Sequence, residues 1–349
     1  MREDFAASLE HWYAAHRRDL PWRHTRDPYR IWLSEVILQQ TRVAQGIDYY
    51  RRFVEIWPTV ERLAAADEAE VLRQWQGLGY YSRARNLLAA AREVAALGSF
   101  PETAESLRKL RGVGDYTAAA VASLAFDEPR AVVDGNVYRV LARVFGIDTP
   151  IDTPEGKKVF AHFAAELLDK AQPALYNQSI MEFGALQCTP RAPRCADCPL
   201  AESCVALAEN RVGELPVKAR RTKISTRRFV YFYLLAENCT LLRRRETADI
   251  WRGLYEPLMI ELDKPAEWPD ILQHSAVAVW ASGATFQKVM ENRKHQLTHR
   301  TLLADGYIAR LDKRVEVPGY VWIDERERDA YAVPRLVEWF YERVDAARS

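Results

Sequence analysis

This sequence has almost no excess of charge of either sign, no long apolar run and only five cysteines. Its 349 residues carry 49 Lys and Arg against 48 Asp and Glu, which leaves a formal net charge of +1. A field that attracts nucleic acid must therefore be local. No run is long and apolar enough to span a membrane, and the start, Met1-Arg2-Glu3-Asp4, lacks the apolar region of a signal peptide. We expect a cytoplasmic protein that does not bind membranes.

The chain nevertheless holds enough apolar sequence for more than one core. Hydrophobic residues make up 48% of it, and its length exceeds that of a usual single domain, so two domains are expected. The pattern changes near the middle. Residues 213–228 form a basic segment that contains no acidic residue after Pro216, and strand-like alternation begins at Phe229. The basic segment either follows DNA phosphates or is a solvated linker.

Four of the five cysteines lie close together, at Cys188, Cys195, Cys198 and Cys204. Their spacing is C-x6-C-x2-C-x5-C. Such clustering in a cytosolic protein argues against disulfides and for a metal or iron–sulfur centre. On chemistry alone, four thiolates bind zinc as readily as a 4Fe-4S cluster. The fifth, Cys239, is expected to be a small buried hydrophobe.

Two glycines flank one apolar residue in Gly112-Val113-Gly114, just before a predicted helix over 116–126. Glycine permits backbone conformations that point consecutive amides outward at a helix start, where the helix dipole favours an anion. A phosphate would fit there. An ordinary tight turn between helices would use the same pattern.

Two carboxylates stand out. Glu35 falls among apolar residues of a segment predicted to be helical over 31–53, where burial would raise its pKa and let it carry a proton at neutral pH. Pairing with Arg30 or Arg42 is the alternative. Asp134 lies at a loop-to-helix junction, where it can cap the helix and stabilise positive charge on a nearby sugar. Asn136 is close enough to orient Asp134 or a water.

Together these motifs resemble the helix-hairpin-helix DNA glycosylases of the endonuclease III superfamily, and most of all the MutY-type adenine DNA glycosylases. The similarity rests on LPWR at 20–23, LSEVILQQT at 33–41, the glycine hairpin, the segment around Asp134 and the cysteine array. It implies a mainly α fold with a six-helix module and a 4Fe-4S module, followed by a small α/β Nudix-like domain. The implied boundaries are 1–212, with the cluster module at 188–204, a linker at 213–228 and the second domain at 229–349.

The resemblance implies a base-excision-repair enzyme that flips out and hydrolyses adenine mispaired with 8-oxoguanine, or with guanine, in double-stranded DNA. The expected protein is a monomer. Glu35 would be the catalytic acid and Asp134 the anion beside the sugar, assisted by Asn136. Tyr116 occupies the position where lyases of the superfamily carry a Schiff-base lysine, so little or no lyase activity is expected.

DNA-contacting residues are also implied by the resemblance. Arg23 would line the base pocket, Gln39 and Gln40 would enter the duplex, and Glu182 would contact adenine. Tyr80 would wedge between base steps. On residue type alone, Tyr80 could equally be a buried tyrosine at a helix start, and Glu182 an exposed helix glutamate.

In the second domain, the segment 251–257 is similar to a W-x-G-L-[WY]-E-x-P stretch of MutY proteins. The REXXEEXG metal box of Nudix hydrolases is absent from the sequence, so no pyrophosphatase activity is expected. Leu297, Thr298 and His299 occupy the place of the family's Phe-Ser-His loop, which reads 8-oxoguanine. Leucine here replaces the aromatic ring, and threonine keeps the hydroxyl. The cysteine spacing implies the superfamily's 4Fe-4S cluster.

Three other functions remain open on the sequence. A thymine-mismatch glycosylase of the superfamily can also carry tyrosine after the hairpin, although such relatives usually end near the cluster. A bifunctional endonuclease III would need the missing lysine. A non-catalytic iron–sulfur protein that scans DNA would not need both Glu35 and Asp134.

Overall fold

A computed structural model describes residues 2–219, 224–247 and 249–349. The chain forms two compact units, one built from residues 1–65 and 86–221 and the other from residues 66–85 and 222–349. Four residues of the predicted basic linker, Arg220, Arg221, Thr222 and Lys223, lie outside the described residues.

Most of the helices in the described residues lie before the first strand, and three lie after it. In chain order they are α1 (Arg2–His16), α2 (Pro28–Leu38), α3 (Val43–Ile56), α4 (Val60–Ala64), α5 (Glu68–Trp75), α6 (Ser82–Leu97), α7 (Ala104–Leu107), α8 (Asp115–Phe126), α9 (Gly135–Phe145), α10 (Pro154–Leu167), α11 (Pro173–Leu186), α12 (Val205–Ala208), α13 (Trp268–Gln273), α14 (Ser275–Ala281) and α15 (Arg335–Ala346). Short 3-10 turns lie at Pro21–Arg23 and Glu325–Ala330. Within the described ranges, no helix combines the length and apolarity that crossing a membrane requires.

The helix predicted over 31–53 is interrupted. Asp27 caps α2 by accepting a hydrogen bond from the amide of Tyr29, but the helix ends at Leu38 and α3 begins only at Val43. Gln40 has φ of 58°, a left-handed conformation that cannot continue a right-handed helix. The prediction of one continuous helix was therefore wrong, and the break leaves Gln39 and Gln40 in a loop.

Helix α8 is central to the first unit because almost every side is apolar. Residues 117–123 are buried, and α8 packs against α2, α7 and α11. Helix α11 also contacts α1 and α9. This packing directs Glu35 of α2, Tyr116 of α8, Asp134 before α9 and Glu182 of α11 to one cleft.

The second unit is built on a mixed sheet. Its strands are β1 (Ser225–Ala236), β2 (Cys239–Arg244), β3 (Tyr255–Glu256), β4 (Leu258–Leu262), β5 (Ala284–Gln296), β6 (Arg300–Leu311) and β7 (Val321–Asp324). The main order is β3-β2-β1-β6-β5; β4 pairs with β1, and β7 with β2. Strand β1 is parallel to β6 and antiparallel to β2 and β4.

Successive side chains of a strand point to opposite faces of this sheet, and a different helix packs on each face. Phe232 packs on Trp280 of α14, with ring centroids 5.3 Å apart, whereas the neighbouring Tyr231 stacks on Phe340 of α15 at 5.8 Å. A mainly helical part followed by a small mixed-sheet domain confirms the predicted fold class.

The division between the units differs from the predicted boundaries in two places. Residues 66–85 group with the second unit, although they lie within the segment 1–212. For example, Arg244 of β2 donates to Glu68 of α5 across 2.9 Å. Strand β1 also begins at Ser225, inside the segment predicted as linker, because residues from Ser225 onward pair with β6 from Arg300 onward.

Candidate active site

A cleft of about 640 Å³ in the first unit collects many of the residues singled out in the sequence. Its lining includes Arg18, Arg23, Glu35, Gln39, Gln40, Tyr116, Asp134, Asn136 and Glu182. These residues come from both ends of the unit's chain, and only the packing of α2, α8, α9 and α11 brings them together. These residues bring three carboxylates, three amides and two arginines to the lining of one cleft.

Glu35 lies at the buried end of this group, with 8% of its surface exposed. Burial raises the pKa of its carboxyl to about 7. The Tyr116 hydroxyl donates a hydrogen bond to Oε2 across 2.6 Å and lowers the pKa, whereas the nearby charge of Asp134 raises it. Glu35 can consequently be protonated in an appreciable fraction of molecules near neutral pH.

Asp134 combines helix capping with a position in the cleft. Its Oδ1 accepts hydrogen bonds of 2.8 Å from the amides of Asn136 and Val137, and its Oδ2 accepts one from Asn136 Nδ2, also at 2.8 Å. Burial raises the pKa of Asp134 above its ordinary 3.8, although these hydrogen bonds oppose the rise. The carboxylate is thus held in one orientation, with a pKa that remains shifted upward.

Asn136 connects this carboxylate to the cysteine segment. Its Oδ1 accepts a 2.8 Å hydrogen bond from Arg139, which also donates to the carbonyl oxygens of Gly184 and Cys188 at 2.6 Å each. Arg139 had no motif to mark it in the sequence. It ties the start of α9 to the end of α11 and to the segment that follows.

Glu182 is buried and fully engaged by two arginines. Arg18 donates to it from its backbone amide at 2.9 Å and from its guanidinium at 2.8 and 2.5 Å, while Arg23 donates at 2.9 and 2.7 Å. Burial alone would raise the pKa of Glu182, but these hydrogen bonds outweigh it and hold the pKa at about 2. Glu182 is therefore an ionised, oriented acceptor. Arg18 was missed in the sequence, where no pattern distinguishes it from neighbouring basic residues.

At the mouth of the cleft, the Gln39 amide donates a 3.1 Å hydrogen bond to Thr117 Oγ1 of α8. Gln40, with its left-handed backbone, is exposed. The helix break thus presents one fixed and one exposed amide side chain at the rim, beside the catalytic candidates.

The glycine hairpin precedes α8 as predicted. Gly112 has φ of 76°, and a Cβ atom there would lie 2.6 Å from Asn86 Cβ, so both backbone conformation and space require glycine. Gly114 is the N-cap of α8. The first turn of an apolar helix, with its unpaired amides, therefore begins directly at this hairpin.

The four clustered cysteines line one small cavity in the first unit. Burial raises the pKa of Cys198 to about 11 and also raises that of Cys204, while the other thiols contribute electrostatically to both. As they are placed, no group of three or more His, Cys, Asp or Glu side chains in the described residues could hold a metal ion. Arg143 Nη1 lies 3.5 Å from Cys188 Sγ, which places a positive charge beside the group.

The remaining candidates lie in the second unit. Leu297, Thr298 and His299 form the turn between β5 and β6, and the amide of Leu297 donates to the Arg300 carbonyl across 2.7 Å. Tyr80 is 46% exposed and its hydroxyl hydrogen-bonds to that of Thr298. The two segments line one apolar pocket with Trp251.

Comparison with protein families gives two matches. The model described as "HhH-GPD superfamily base excision DNA repair protein" matches residues 33–166, and a NUDIX domain model matches residues 230–343. The two matches fall on the helical part and on the mixed-sheet part respectively. The first includes the lining residues from Ser34 to Asn136, whereas Arg18, Arg23 and Glu182 of the same cleft lie outside the matched range.

Several similar proteins are adenine DNA glycosylases. That of Mus musculus is 45% identical over 63% of this chain, but the match covers only 45% of its own length. This chain thus spans less than half of the length of that relative. The enzyme of Buchnera aphidicola subsp. Schizaphis graminum is 30% identical, over 72% of this chain and 73% of its own.

Two solved structures share the helical fold. A thermostable thymine-DNA glycosylase has a TM-score of 0.56 and 31% identity, over 60% of this chain and 97% of its own. An endonuclease III trapped as a covalent DNA intermediate has a TM-score of 0.52 and 23% identity, over 60% of this chain and 98% of its own.

Proposed function

This chain belongs to the adenine DNA glycosylases, and we propose that it removes adenine from double-stranded DNA when adenine is paired with 8-oxoguanine or guanine. The observation that carries the proposal is the pair of carboxylates in one cleft. Glu35 is buried with a pKa of about 7, and Asp134 is fixed by three hydrogen bonds. An acid and an anion are the two groups that cleavage of an N-glycosidic bond requires.

The reaction begins when Glu35 donates its proton to N7 of a flipped adenine. The bond between C1′ and N9 then breaks, and its electron pair moves to the base as positive charge develops on the sugar. The Asp134 carboxylate stabilises that charge. Water adds to C1′ and passes its proton to the Glu35 carboxylate, which restores the acid. Arg18 and Arg23 keep Glu182 ionised, and we propose that this group of three residues forms the wall of the pocket against which adenine binds.

Tyr116 supports the acid without serving as a nucleophile. Its hydroxyl donates to Glu35, and a phenol cannot form an imine with the opened sugar. We therefore propose base excision with little or no strand cleavage. Strand breaks should appear only after alkali.

Binding of the duplex is proposed to use the hairpin and the rim of the cleft. The amides that begin α8 after Gly112 and Gly114 suit a phosphate oxygen. Gln39 and Gln40 lie at the rim, where their amides would enter the space left by the flipped base. The protein would act as a monomer.

We also propose a 4Fe-4S cluster at the four cysteines, because their spacing and shared cavity support it, although the thiols as placed do not form a metal-binding group. Cys188, Cys195, Cys198 and Cys204 supply four thiols to one cavity, and Arg143 offsets negative charge next to Cys188. When bound, the cluster supplies a rigid cross-link between chain segments. Arg143 also donates to the Thr189 carbonyl at 2.7 Å, which orients the segment after Cys188 that carries Arg191 and Arg194.

The second unit is proposed to read the base opposite adenine. Adenine is an undamaged base, so an enzyme that excises it must recognise the lesion on the other strand. Tyr80 can wedge between base steps, and Leu297, Thr298 and His299 can contact 8-oxoguanine from the turn beside it. Thr298 retains a hydroxyl for hydrogen bonding.

Single-turnover excision tests the proposal on three duplexes, with adenine opposite 8-oxoguanine, adenine opposite guanine and thymine opposite guanine. Each is analysed with and without alkali. We expect adenine release fastest opposite 8-oxoguanine, with breaks only after alkali. Release of thymine alone would identify a thymine-mismatch glycosylase, in line with the structural similarity to one. Binding of duplex without release of any base would identify a non-catalytic protein.

A further inference from the structure

The loop that carries Tyr80 has an unusual backbone. Gly77, Gly79 and Tyr80 have φ values of 94°, 72° and 47°. Positive φ is accessible to glycine but unfavourable for a tyrosine, and such a conformation persists only when surrounding contacts hold it. The position of Tyr80 therefore depends on whatever anchors this loop.

Trp75 Nε1 holds the Gly79 carbonyl across 3.0 Å, and a second anchor is the backbone of Val333, just before α15. The Val333 amide donates to Gln76 Oε1 across 3.2 Å, and its carbonyl oxygen accepts from the Tyr81 hydroxyl across 3.5 Å. Both polar backbone groups of a buried residue are thus satisfied by side chains on either side of Tyr80.

Gln76 makes a second contact from the same side chain. Its Nε2 donates to Glu338 Oε1 of α15 across 2.5 Å, while Glu338 Oε2 accepts from Arg335 across 2.7 Å. Since the amide has one acceptor and one donor oriented in this way, it bridges Val333 and Glu338. Gln76 is also the last residue before Gly77, so it fixes the point where the loop begins.

We propose that Gln76 is a positioning residue for recognition of the opposite base. By fastening the loop to Val333 and Glu338, it keeps Tyr80 beside Thr298 on one reading surface. Gln76 acts through Tyr80 and not through contact with the reacting atoms. The proposal rests on the proposed function, because the 8-oxoguanine preference is the property that Gln76 would set.

Gln76→Ala removes both contacts and leaves the Val333 amide without this acceptor. A matched control is Glu70→Ala, which truncates an exposed side chain on α5, the helix that Gln76 follows as its C-cap. We expect Gln76→Ala to reduce the ratio of excision rates opposite 8-oxoguanine and guanine by about tenfold, the effect of one buried hydrogen-bonding group that loses its partner. Glu70→Ala should leave the ratio at the wild-type value.

A reciprocal exchange separates this role from general destabilisation. Gln76→Glu places a carboxylate against Glu338, so the two should repel and the ratio should fall. Adding Glu338→Gln restores a donor–acceptor pair in reverse, because the new amide at 338 can donate to the new carboxylate at 76. That carboxylate still accepts from Val333. We expect the double variant to recover the ratio of excision rates. If each substitution only destabilised the fold, the double variant would instead be less stable than either single variant.

Hydrogen–deuterium exchange tests the anchor independently of excision. In the full-length protein, peptides covering 77–82 and 331–334 should exchange faster in Gln76→Ala and Gln76→Glu than in wild type, and return to wild-type rates in the double variant. If wild type excises no adenine, the proposed function fails, and the exchange rates alone decide whether Gln76 holds the loop. Unchanged exchange, or an unchanged excision ratio in an active Gln76→Ala variant, would overturn the inference.

Discussion

Tyr116 donates a 2.6 Å hydrogen bond to Glu35 Oε2 inside the cleft of the first unit. Burial and this hydrogen bond act on the Glu35 carboxyl in opposite directions, since burial favours the neutral form and the donor favours the charged form. The resulting pKa of about 7 suits an acid that must be protonated before the reaction and ionised after it. The contact therefore tunes the acid that the proposed mechanism uses.

The pH dependence of excision should follow from the two carboxyl groups. The rate constant should rise with pH as Asp134 ionises, at a pH above the ordinary pKa of 3.8 because burial raises the pKa of this group. It should fall as pH rises through about 7, where Glu35 loses its proton. Single-turnover rates measured across this interval would show both limbs. A rate that does not decrease on passing through neutral pH would contradict the assignment of Glu35 as the acid.

Glu35→Gln should abolish most of the excision while preserving DNA binding. The amide keeps the shape of the side chain but cannot donate a carboxylic proton, and general acid catalysis typically contributes about 10²- to 10⁴-fold. Single-turnover excision and duplex affinity would be measured together. Glu55→Gln, an exposed change on α3, serves as the control and should match wild type. A Glu35→Gln variant with wild-type rates would support a role outside catalysis.

Tyr116→Phe should move the falling limb of the pH profile upward. Without the donor, the charged form of Glu35 loses its stabilisation, so the pKa of Glu35 should increase. The variant would consequently remain active at higher pH than wild type. Tyr138→Phe, a partly buried tyrosine that does not line the cleft, is the matched control. A downward shift in Tyr116→Phe would show that the hydroxyl stabilises the neutral acid instead.

Arg18→Ala should destabilise the first unit and make it more sensitive to acid. The buried Glu182 carboxylate would lose its guanidinium bonds from Arg18, at a cost of about 2 kcal/mol. In wild type, the stabilisation linked to Glu182 is fully present above the ordinary pKa of 4.5 and is lost as pH falls through about 2. In the variant that loss should occur at less acidic pH. Thermal unfolding at several pH values measures both effects, and equal melting curves would refute them.

The cysteine group can be tested by paired substitutions. Cys198→Ala should lower the iron content and the visible absorption of the purified protein, and it should reduce thermal stability, because a cluster bound only by the folded state stabilises that state. Cys239→Ala provides the comparison, since Cys239 is buried in the second unit, whereas the other four cysteines belong to the first. Equal iron content in both variants would exclude Cys198 as a ligand.

Local sequence determined a large part of this protein. The apolar run around Glu35 predicts burial and a raised pKa, because a helix without a polar face must be covered by others. Glycine at 112 is dictated by its backbone conformation, and Asp134 before a helix predicts a cap. Alternation after Phe229 predicts strands. Each of these features depends on neighbours within a few residues, so the sequence alone was sufficient.

Tertiary structure decided the features that join distant residues. Arg18 and Glu182 lie 164 positions apart, and only the packing of α1 against α11 shows that Glu182 is held as an ion. The break at Gln40 replaced a helix that periodicity had predicted to continue. Residues 66–85 joined the second unit through side-chain hydrogen bonds, such as that of Gln76 to Val333. Hydrogen bonds between remote segments depend on how the helices and sheet pack, and no local pattern encodes them.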